Sequence, residues 1–244
     1  MSAPLLVLTG PATPKAAAPW MAAAEQAGWR AELRPIARTL AVEIERTSVD
    51  VAPPALLAVS SPNAVPALKR LWSVRPDLRL VPHAALGRQV AKKLSEEGVA
   101  PAIIVASDPD VADIGIGAFA LALAEATETG ARILWPRGER TSDLREELVK
   151  AGRYVQAPIA YRTTALPDFR PPGRADAVFF ASPESATAWL RRDDVPRTTA
   201  IAIGPTTYEA LAADYARFVK LVRLPGPRPE GLLGALAGLA LPRR

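Results

Sequence analysis

The chain has 244 residues, 49% of them hydrophobic, with a net charge of +5 and no cysteine. This length and apolar content suit one large or two modest domains, and the lack of cysteine excludes disulfides and thiolate chemistry. No apolar run reaches the roughly 18 residues of a membrane-spanning helix. Residues 1–4 carry no basic side chain ahead of a short apolar run, so we expect no signal peptide and a cytoplasmic location.

The positive charge comes mostly from arginine, and two explanations stay open. A genome rich in G and C favours Arg, Ala and Pro, which would make the charge incidental. The functional explanation is an anionic partner. Because the basic residues are scattered with few aromatics among them, the pattern argues against nucleic acid and favours a small polyanionic ligand.

Strand and helix patterns alternate along the first half of the chain. The predicted elements are strand 5–8, helix 15–27, strand 30–37, an extended segment 39–44, strand 55–59, helix 62–72, strand 80–86, helix 89–97, strand 102–106 and helix 111–126. Strand 55–59 is apolar throughout, as expected of a strand buried on both faces of a parallel sheet.

The second half repeats this plan. Its predicted elements are strand 133–135, a Pro-Arg-Gly turn, a helix ending at Gly152, strand 154–161, strand 176–181, helix 183–192, strand 199–203, helix 205–215, strand 219–223 and helix 230–239. Thr141 or Ser142 is expected to cap the helix before Gly152. The alternation predicts an α/β fold with parallel sheets covered by helices on both faces.

Short segments of the first half recur in the second half, in the same order and at an offset that shrinks slowly along the chain. An old duplication followed by loop changes leaves such a pattern. The matching pairs are Pro35–Ala37 with Pro158–Ala160, Ser60–Ala64 with Ala181–Ser185, and Ala85–Arg88 with Ile203–Thr206.

Small hydroxyl residues stand where strands lead into helices, which is where open α/β sheets bind their ligands. Helix N-termini there offer unpaired N–H groups and a positive dipole end to an anion. Two explanations stay open, ordinary N-capping and a cleft that binds a polyanion. The residues are Thr9, Ser60, Ser61, Ser182, Thr206 and Thr207.

Motifs for metal, redox or nucleophilic chemistry are missing from the sequence. It contains no glycine-rich phosphate loop and no Ser-His-Asp set, and the single histidine, His83, is expected in the core. The acidic pairs Asp108/Asp110 and Asp193/Asp194 lie in predicted turns and have too few partners for a metal site. An enzyme with this sequence is expected to need no metal and no cofactor.

Five segments resemble the uroporphyrinogen-III synthase family and follow that family's order and spacing over nearly the whole chain. The most specific is the last, taken together with the Tyr-Arg-Thr sequence about forty residues before it. The segments are Val59–Val65, Leu134–Arg140, Ala160–Thr163, Phe179–Ser185 and Ala202–Leu211.

The resemblance implies two flavodoxin-like domains with parallel sheets, a cleft between them, and a two-stranded β connector. The chain would cross between the domains at its two Pro-Ile-Ala strands. Domain one would then hold residues 1–36 and 164–244, and domain two residues 37–163. This arrangement also accounts for the duplication, because each domain takes half of each repeat.

The activity implied by the resemblance is the cyclisation of hydroxymethylbilane to uroporphyrinogen III, with loss of water and inversion of ring D, in tetrapyrrole (haem) biosynthesis. The terminal pyrrole expels its hydroxyl to give an azafulvene cation, and attack through the substituted carbon of ring D gives a spiro intermediate that rearranges. Such an enzyme mainly folds the bilane, and positioning of this kind is worth about 7–11 kcal/mol.

The family's residues are carried over by position. Tyr161 matches the tyrosine proposed to help the hydroxyl leave; the alternative is an aromatic that packs between domains. Four helix termini would contribute about 1–4 kcal/mol, whereas micromolar affinity needs about 8 kcal/mol. Arg88, Arg137 or domain closure would supply the rest, unless the two arginines are simply solvated. The implied substrate-binding residues are Ser60, Ser61, Asn63, Gly87, Arg88, Arg137, Gly138, Ser182, Gly204, Thr206 and Thr207.

The resemblance also implies a monomer that receives hydroxymethylbilane from hydroxymethylbilane synthase. The chain departs from the family at Gly10, where arginine is common, and at Val90, where threonine is common. A different class therefore stays open, a non-enzymatic two-domain binding protein or regulatory relative that closes on a small anionic ligand.

Overall fold

The computed structural model describes residues 2–10, 13–45, 49, 52–105, 115–139 and 142–239. The strands in chain order are β1 (Leu5–Leu8), β2 (Arg30–Leu33), β3 (Ala37–Ala41), β4 (Leu56–Val59), β5 (His83–Leu86), β6 (Ile103–Val105), β7 (Arg132–Leu134), β8 (Arg137–Gly138), β9 (Tyr154–Gln156), β10 (Ile159–Ala165), β11 (Ala177–Phe180), β12 (Thr198–Ala202) and β13 (Phe218–Arg223). The helices are α1 (Pro14–Gln26), α2 (Val65–Val74), α3 (Arg88–Glu96), α4 (Ile116–Glu125), α5 (Leu144–Lys150), α6 (Pro183–Leu190), α7 (Pro205–Ala212) and α8 (Pro229–Ala237). None of the helices in these ranges is long and apolar enough to cross a membrane.

The chain divides into two compact units. Unit 1 holds Met1–Arg38 and Thr163–Arg244, and unit 2 holds Thr39–Arg162. The chain passes from one unit to the other within β3 and again within β10. These two strands belong to a three-stranded sheet with the order β3-β10-β8, so β8 adds a third strand beside the two that carry the chain across.

Unit 1 is built on a parallel sheet with the order β13-β12-β11-β1-β2. Every residue of the central strand β11 is buried. Because side chains alternate along a strand, Phe179 packs in one core with Trp20 of α1, while Phe180 packs in another with Trp189 of α6. Helices therefore cover both faces of this sheet, which accounts for its continuous apolar strands.

Unit 2 repeats the plan with a parallel sheet of order β6-β5-β4-β7-β9. Leu57 and Val59 of β4 lie in one core with residues of α2 and α3, and Leu56 and Ala58 lie in a second core with Phe119 of α4. The two parallel sheets with helices on both faces confirm the predicted α/β fold.

Two predicted strands are each divided in the structure. The predicted strand 30–37 corresponds to β2 followed, after a gap, by the first residue of β3. The predicted strand 154–161 corresponds to β9 followed, after a gap, by the start of β10. Pro35 and Pro158 lie in the gaps. Proline has no N–H to donate to a neighbouring strand, so both ladders end there and the chain is free to join a different sheet.

The predicted cap of α5 at Ser142 is wrong. The helix begins after Asp143, and the Ser142 hydroxyl is buried with no hydrogen-bond partner among the described residues. The alternative cap Thr141 and the acidic pair Asp108/Asp110 lie outside the described residues.

Candidate functional site

The candidate residues of unit 2 lie beyond the carboxyl ends of three neighbouring strands. β5, β4 and β7 are adjacent in the sheet, and their ends lead into α3, into the 3-10 turn Pro62–Ala64 and into β8. The 3-10 turn also contacts both α3 and β8. The structure therefore brings together Ser60, Ser61, Asn63, Gly87, Arg88, Arg137 and Gly138.

Ser60 is held by a residue that the sequence did not single out. The Nε1–H of Trp135, a residue only 3% exposed, donates to the Ser60 Oγ at 2.9 Å. Because an indole N–H only donates, the serine oxygen accepts here and its own O–H stays available to donate to another group. A buried tryptophan usually needs such a partner, but a separation of 75 positions along the chain hides this pair from sequence reasoning.

Ser61 has a local structural role. Its Oγ accepts from the N–H of Asn63 at 3.2 Å and so caps the 3-10 turn that leads into α2. Asn63 itself is exposed on that turn. The cap uses the Ser61 oxygen only as an acceptor and uses neither the Ser60 nor the Asn63 side chain.

Helix α3 begins without a side-chain cap among the described residues. Gly87 precedes it with φ of 84°, a left-handed conformation that glycine adopts without strain. The side chain of Arg88, the first residue of α3, is exposed and forms no hydrogen bond or ion pair with any other described residue. Neither the first-turn N–H groups of α3 nor the Arg88 guanidinium is thus used by a described side chain.

Arg137 is partly occupied by its own turn. Its Nη1 donates to the carbonyl of Gly138 at 2.8 Å and to the carbonyl of Glu139 at 3.1 Å. The side chain is half-buried. Arg137 thus braces the backbone at Gly138 and Glu139, and its other N–H groups bond to no described residue.

Tyr161 lies in β10 directly opposite Gly138 of β8. The tyrosine is half-buried and packs, together with Ala41, on the unit 2 core that contains Leu57. Gly138 is buried beneath the phenol end of the ring. Unit 2 therefore contains the candidate catalytic residue and places it beside the candidate binding loop of β8.

In unit 1, Ser182 is committed to helix capping. Its Oγ accepts from the N–H of Ser185 at 3.1 Å, and the Ser185 Oγ accepts from the N–H of Ser182 at 3.2 Å, which is a complete capping box at the start of α6. The neighbouring hydroxyl at Thr9 is buried and donates to the Phe179 carbonyl at 2.9 Å. Both contacts are structural.

Helix α7 begins differently, at Gly204 and without a side-chain cap in the described part of the chain. Thr206 in its first turn is exposed, whereas Thr207 is 1% exposed and belongs to the interior. Strand β12, which leads into α7, is the neighbour of β11, and α6 contacts α7. The structure thus groups Ser182, Gly204 and Thr206, and it buries the side chain of Thr207.

The titratable groups that the sequence singled out are structural where the structure describes them. His83 is buried, its Nδ1 lies 2.6 Å from the Val81 carbonyl, and burial lowers its pKa while that carbonyl acts in the opposite direction. Asp194 pairs with Arg192 at 2.7 Å, and the hydrogen bond from Arg192 lowers the pKa of that carboxyl. The described residues contain no group of three or more His, Cys, Asp or Glu side chains that would hold a metal ion.

Comparison with known proteins gives matches of two kinds. The family model described as Uroporphyrinogen-III synthase HemD matches residues 18–231. The fold is similar to that of uroporphyrinogen-III synthetase from Helicobacter pylori, with a TM-score of 0.66, 19% identity, and coverage of 97% of this chain and 100% of that one. It is also similar to a mutant uroporphyrinogen III synthase from the extremely thermophilic bacterium Thermus thermophilus, with a TM-score of 0.59, 19% identity, and coverage of 96% and 97%. No curated protein sequence matches the chain.

Proposed function

The chain belongs to the uroporphyrinogen-III synthase family, and we propose that it cyclises hydroxymethylbilane to uroporphyrinogen III with loss of water and inversion of ring D. The observation that carries this proposal is the family match over residues 18–231, which includes both groups of candidate residues. The reaction makes the enzyme a cyclising hydro-lyase of tetrapyrrole biosynthesis.

The chemistry suits a site made of hydrogen-bond donors. The bilane's terminal pyrrole supplies the electrons that expel the hydroxyl, which leaves as water once it gains a proton. The azafulvene cation that remains is attacked by ring D of the same molecule, and a proton is lost on rearrangement. The protein must bind the carboxylates and fold the chain so that the substituted carbon of ring D is the closer one, a positioning effect worth about 7–11 kcal/mol.

In unit 2, the proposed carboxylate-binding groups are the Ser60 hydroxyl, the exposed Arg88 and the first turn of α3. Trp135 supports the first of these, since it leaves the Ser60 O–H as a donor. The lack of a side-chain cap on α3 among the described residues supports the last. Asn63 and the N–H groups of Arg137 that bond to no described residue complete this proposed set.

In unit 1, the proposed carboxylate-binding groups are the backbone N–H groups that follow Gly204 and the hydroxyl of Thr206. Support comes from the exposed position of Thr206 and from the start of α7, which no described side chain caps. Ser182 and Thr207 contribute mainly to the fold in this proposal, because one is held in a capping box and the other is buried.

Tyr161 is the proposed catalytic residue. Its phenol would donate a hydrogen bond to the departing hydroxyl of the bilane. Its half-buried ring packs on the unit 2 core, which would hold the phenol hydroxyl in a fixed position. Because a phenol is a weak acid, assistance to the leaving group is expected rather than an absolute requirement.

The two units are proposed to act as the domains of the enzyme, within a cytoplasmic monomer that takes its substrate from hydroxymethylbilane synthase. The complete absence of cysteine supports a location where disulfides are not used. The open chain of hydroxymethylbilane closes unaided to the type I isomer, so a short path from its source favours the type III product.

The test is to supply the purified protein with freshly made hydroxymethylbilane and to separate the isomers formed. We expect the type III isomer in excess, formed faster than the uncatalysed closure. Type I product alone, at the uncatalysed rate, would reject the activity and would favour a relative that only binds.

A further inference from the structure

Gly138 lies under the ring of Tyr161 with no room for a side chain. A Cβ built on Gly138 would stand 2.8 Å from the Cε2 and from the Cζ of Tyr161, and 2.9 Å from its hydroxyl oxygen. Non-bonded carbon atoms normally approach to about 3.5–4.0 Å. All three close contacts are therefore with the phenol end of the one side chain proposed to act on the substrate's hydroxyl.

The backbone does not explain why glycine stands at this position. The described glycines with positive φ are Gly28, Gly87, Gly98, Gly130 and Gly152, and Gly138 is not among them. An alanine would therefore adopt the local conformation without strain. What excludes it is the space taken by the Tyr161 ring.

The backbone and one side of the ring are held in place. The Tyr161 carbonyl accepts from the N–H of Glu139 at 3.1 Å, which fixes the backbone of β10 against the strand that carries Gly138. The ring also packs on the unit 2 core beside Ala41. A methyl group at position 138 must therefore push the hydroxyl end of the ring outward by about 1 Å, the difference between the contact it would make and a normal one.

We infer that Gly138 is a positioning residue: its missing side chain sets where the Tyr161 hydroxyl stands. This inference rests on the proposed function, in which that hydroxyl assists the leaving group. It also revises the role expected for Gly138 from the family resemblance. Gly138 acts through Tyr161 and not through its own contact with the substrate, so it governs turnover and not affinity.

Gly138→Ala tests the inference, with Tyr161→Phe and the double variant as partners. We expect Gly138→Ala to lower kcat about 10-fold with KM within about 3-fold of the starting value, since a misplacement of about 1 Å is costly for a reacting group. Tyr161→Phe should lower kcat by a similar factor. The double variant should be no slower than Tyr161→Phe, because the displaced hydroxyl is already absent.

Gly173→Ala is the matched control, because Gly173 is exposed and a Cβ there meets no atom within 4 Å. Its kcat and KM should be unchanged. A Gly138→Ala enzyme with raised KM and unchanged kcat would overturn the inference and make Gly138 a substrate contact. So would a double variant that multiplies the two losses.

A measurement without substrate separates this inference from the proposed function. In protein labelled with 13C at the tyrosine Cζ, the Tyr161 resonance is assigned from its loss in Tyr161→Phe. Gly138→Ala should shift that resonance, and Gly173→Ala should not. An unmoved resonance overturns the inference even if the enzyme makes the type III isomer. A shifted resonance in a protein that makes only type I product supports the geometry and rejects the activity.

One further variant keeps the inference testable if Gly138→Ala does not fold. If Gly138→Ala does not fold, Gly138→Ala/Tyr161→Leu should fold as Tyr161→Leu does, because leucine lacks all three atoms that the methyl group would meet. Failure of this double variant to fold would contradict a steric role that runs through Tyr161.

Discussion

In each unit, two neighbouring strands lead into a helical segment that starts at a serine and a helix that starts at a glycine. The two kinds of start use their N–H groups differently. Ser182 caps α6 at 3.1 Å, and Ser61 caps its 3-10 turn at 3.2 Å. No described side chain caps α3 after Gly87 or α7 after Gly204. The serine starts are closed by their own side chains, whereas the glycine starts leave first-turn donors for a ligand. The hydroxyl residues that stand out in the sequence are thus not all equivalent.

Replacing a glycine start with a charged cap should have the largest effect. In Gly204→Asp, the carboxylate would cap α7 and occupy the place proposed for a substrate carboxylate. A Cβ at Gly204 meets no atom within 4 Å, so the change fits. KM should rise about 10–100-fold, as expected of an added like charge at a partly exposed site. The melting temperature should stay the same or rise, since aspartate caps helices well.

Gly204→Asn is the matched control for that charge, because asparagine caps a helix about as well as aspartate. It should raise KM much less than Gly204→Asp does. Equal effects of the two variants, or a KM unchanged by either, would mean that α7 does not meet a carboxylate of the substrate.

Thr206→Val removes one hydroxyl from the same helix start and should raise KM less than Gly204→Asp does. Because Thr206 is exposed, loss of its hydroxyl should leave the melting temperature unchanged. KM should rise about 3–10-fold, the net cost of losing one ordinary hydrogen bond at an exposed position. Thr206→Ser, which keeps the hydroxyl, should behave like the starting enzyme. A stability loss without any change in KM would assign Thr206 to the fold instead.

Ser182→Ala should show the opposite pattern. Removing the cap of α6 should lower the free energy of unfolding by about 1 kcal/mol, while KM stays within about 2-fold. Ser182→Thr, which keeps a capping oxygen, should retain most of that stability. Urea unfolding and steady-state kinetics on the same preparations measure both quantities. A large rise in KM for Ser182→Ala would mean that a serine start also binds substrate, which would contradict the proposed difference between the two kinds of start.

The two units should also differ in their response to mild acid, because the chain's one histidine, His83, lies in unit 2. Burial lowers the pKa of folded His83, so the unfolded chain takes up a proton first. Above the unfolded pKa of about 6.5, protonation of His83 therefore costs no free energy of unfolding. Below that value, the free energy of unfolding falls as the pH drops. The slope from one group is at most about 1.4 kcal/mol per pH unit.

His83→Asn keeps an N–H for the Val81 carbonyl and removes the titration. Its free energy of unfolding should vary less between about pH 7.5 and about pH 5.5 than that of the parent chain. The same variation in both proteins would mean that carboxylates, and not His83, set the acid response.

The sequence was sufficient for the features that depend on local pattern. The apolar run of β4 predicted a strand buried on both faces, and ordinary N-capping, one of the two explanations left open for Ser182, matches its contacts at the start of α6. The division of segments 30–37 and 154–161 was missed because an apolar pattern does not show which sheet a strand joins after a proline.

The finer organisation of the candidate site depends on contacts between distant positions. The Trp135 bond to Ser60 joins the residues that directly follow two neighbouring strands, and the space at Gly138 is defined by Tyr161 on the opposite strand. Neither follows from spacing along the chain. The sequence also could not separate Thr206 from Thr207, since which of two adjacent threonines faces the interior is decided by how α7 packs on the sheet.

Backbone amide shifts on binding of uroporphyrinogen III test the account most directly. In 15N-labelled protein, the product's carboxylates should shift the first-turn amides of α3, from Arg88, and of α7, from Thr206. The first turn of α6, closed by Ser182, should change little. Shifts confined to α6 and to Asn63, with α3 and α7 unaffected, would contradict the claim that the glycine starts are the ones that bind the substrate.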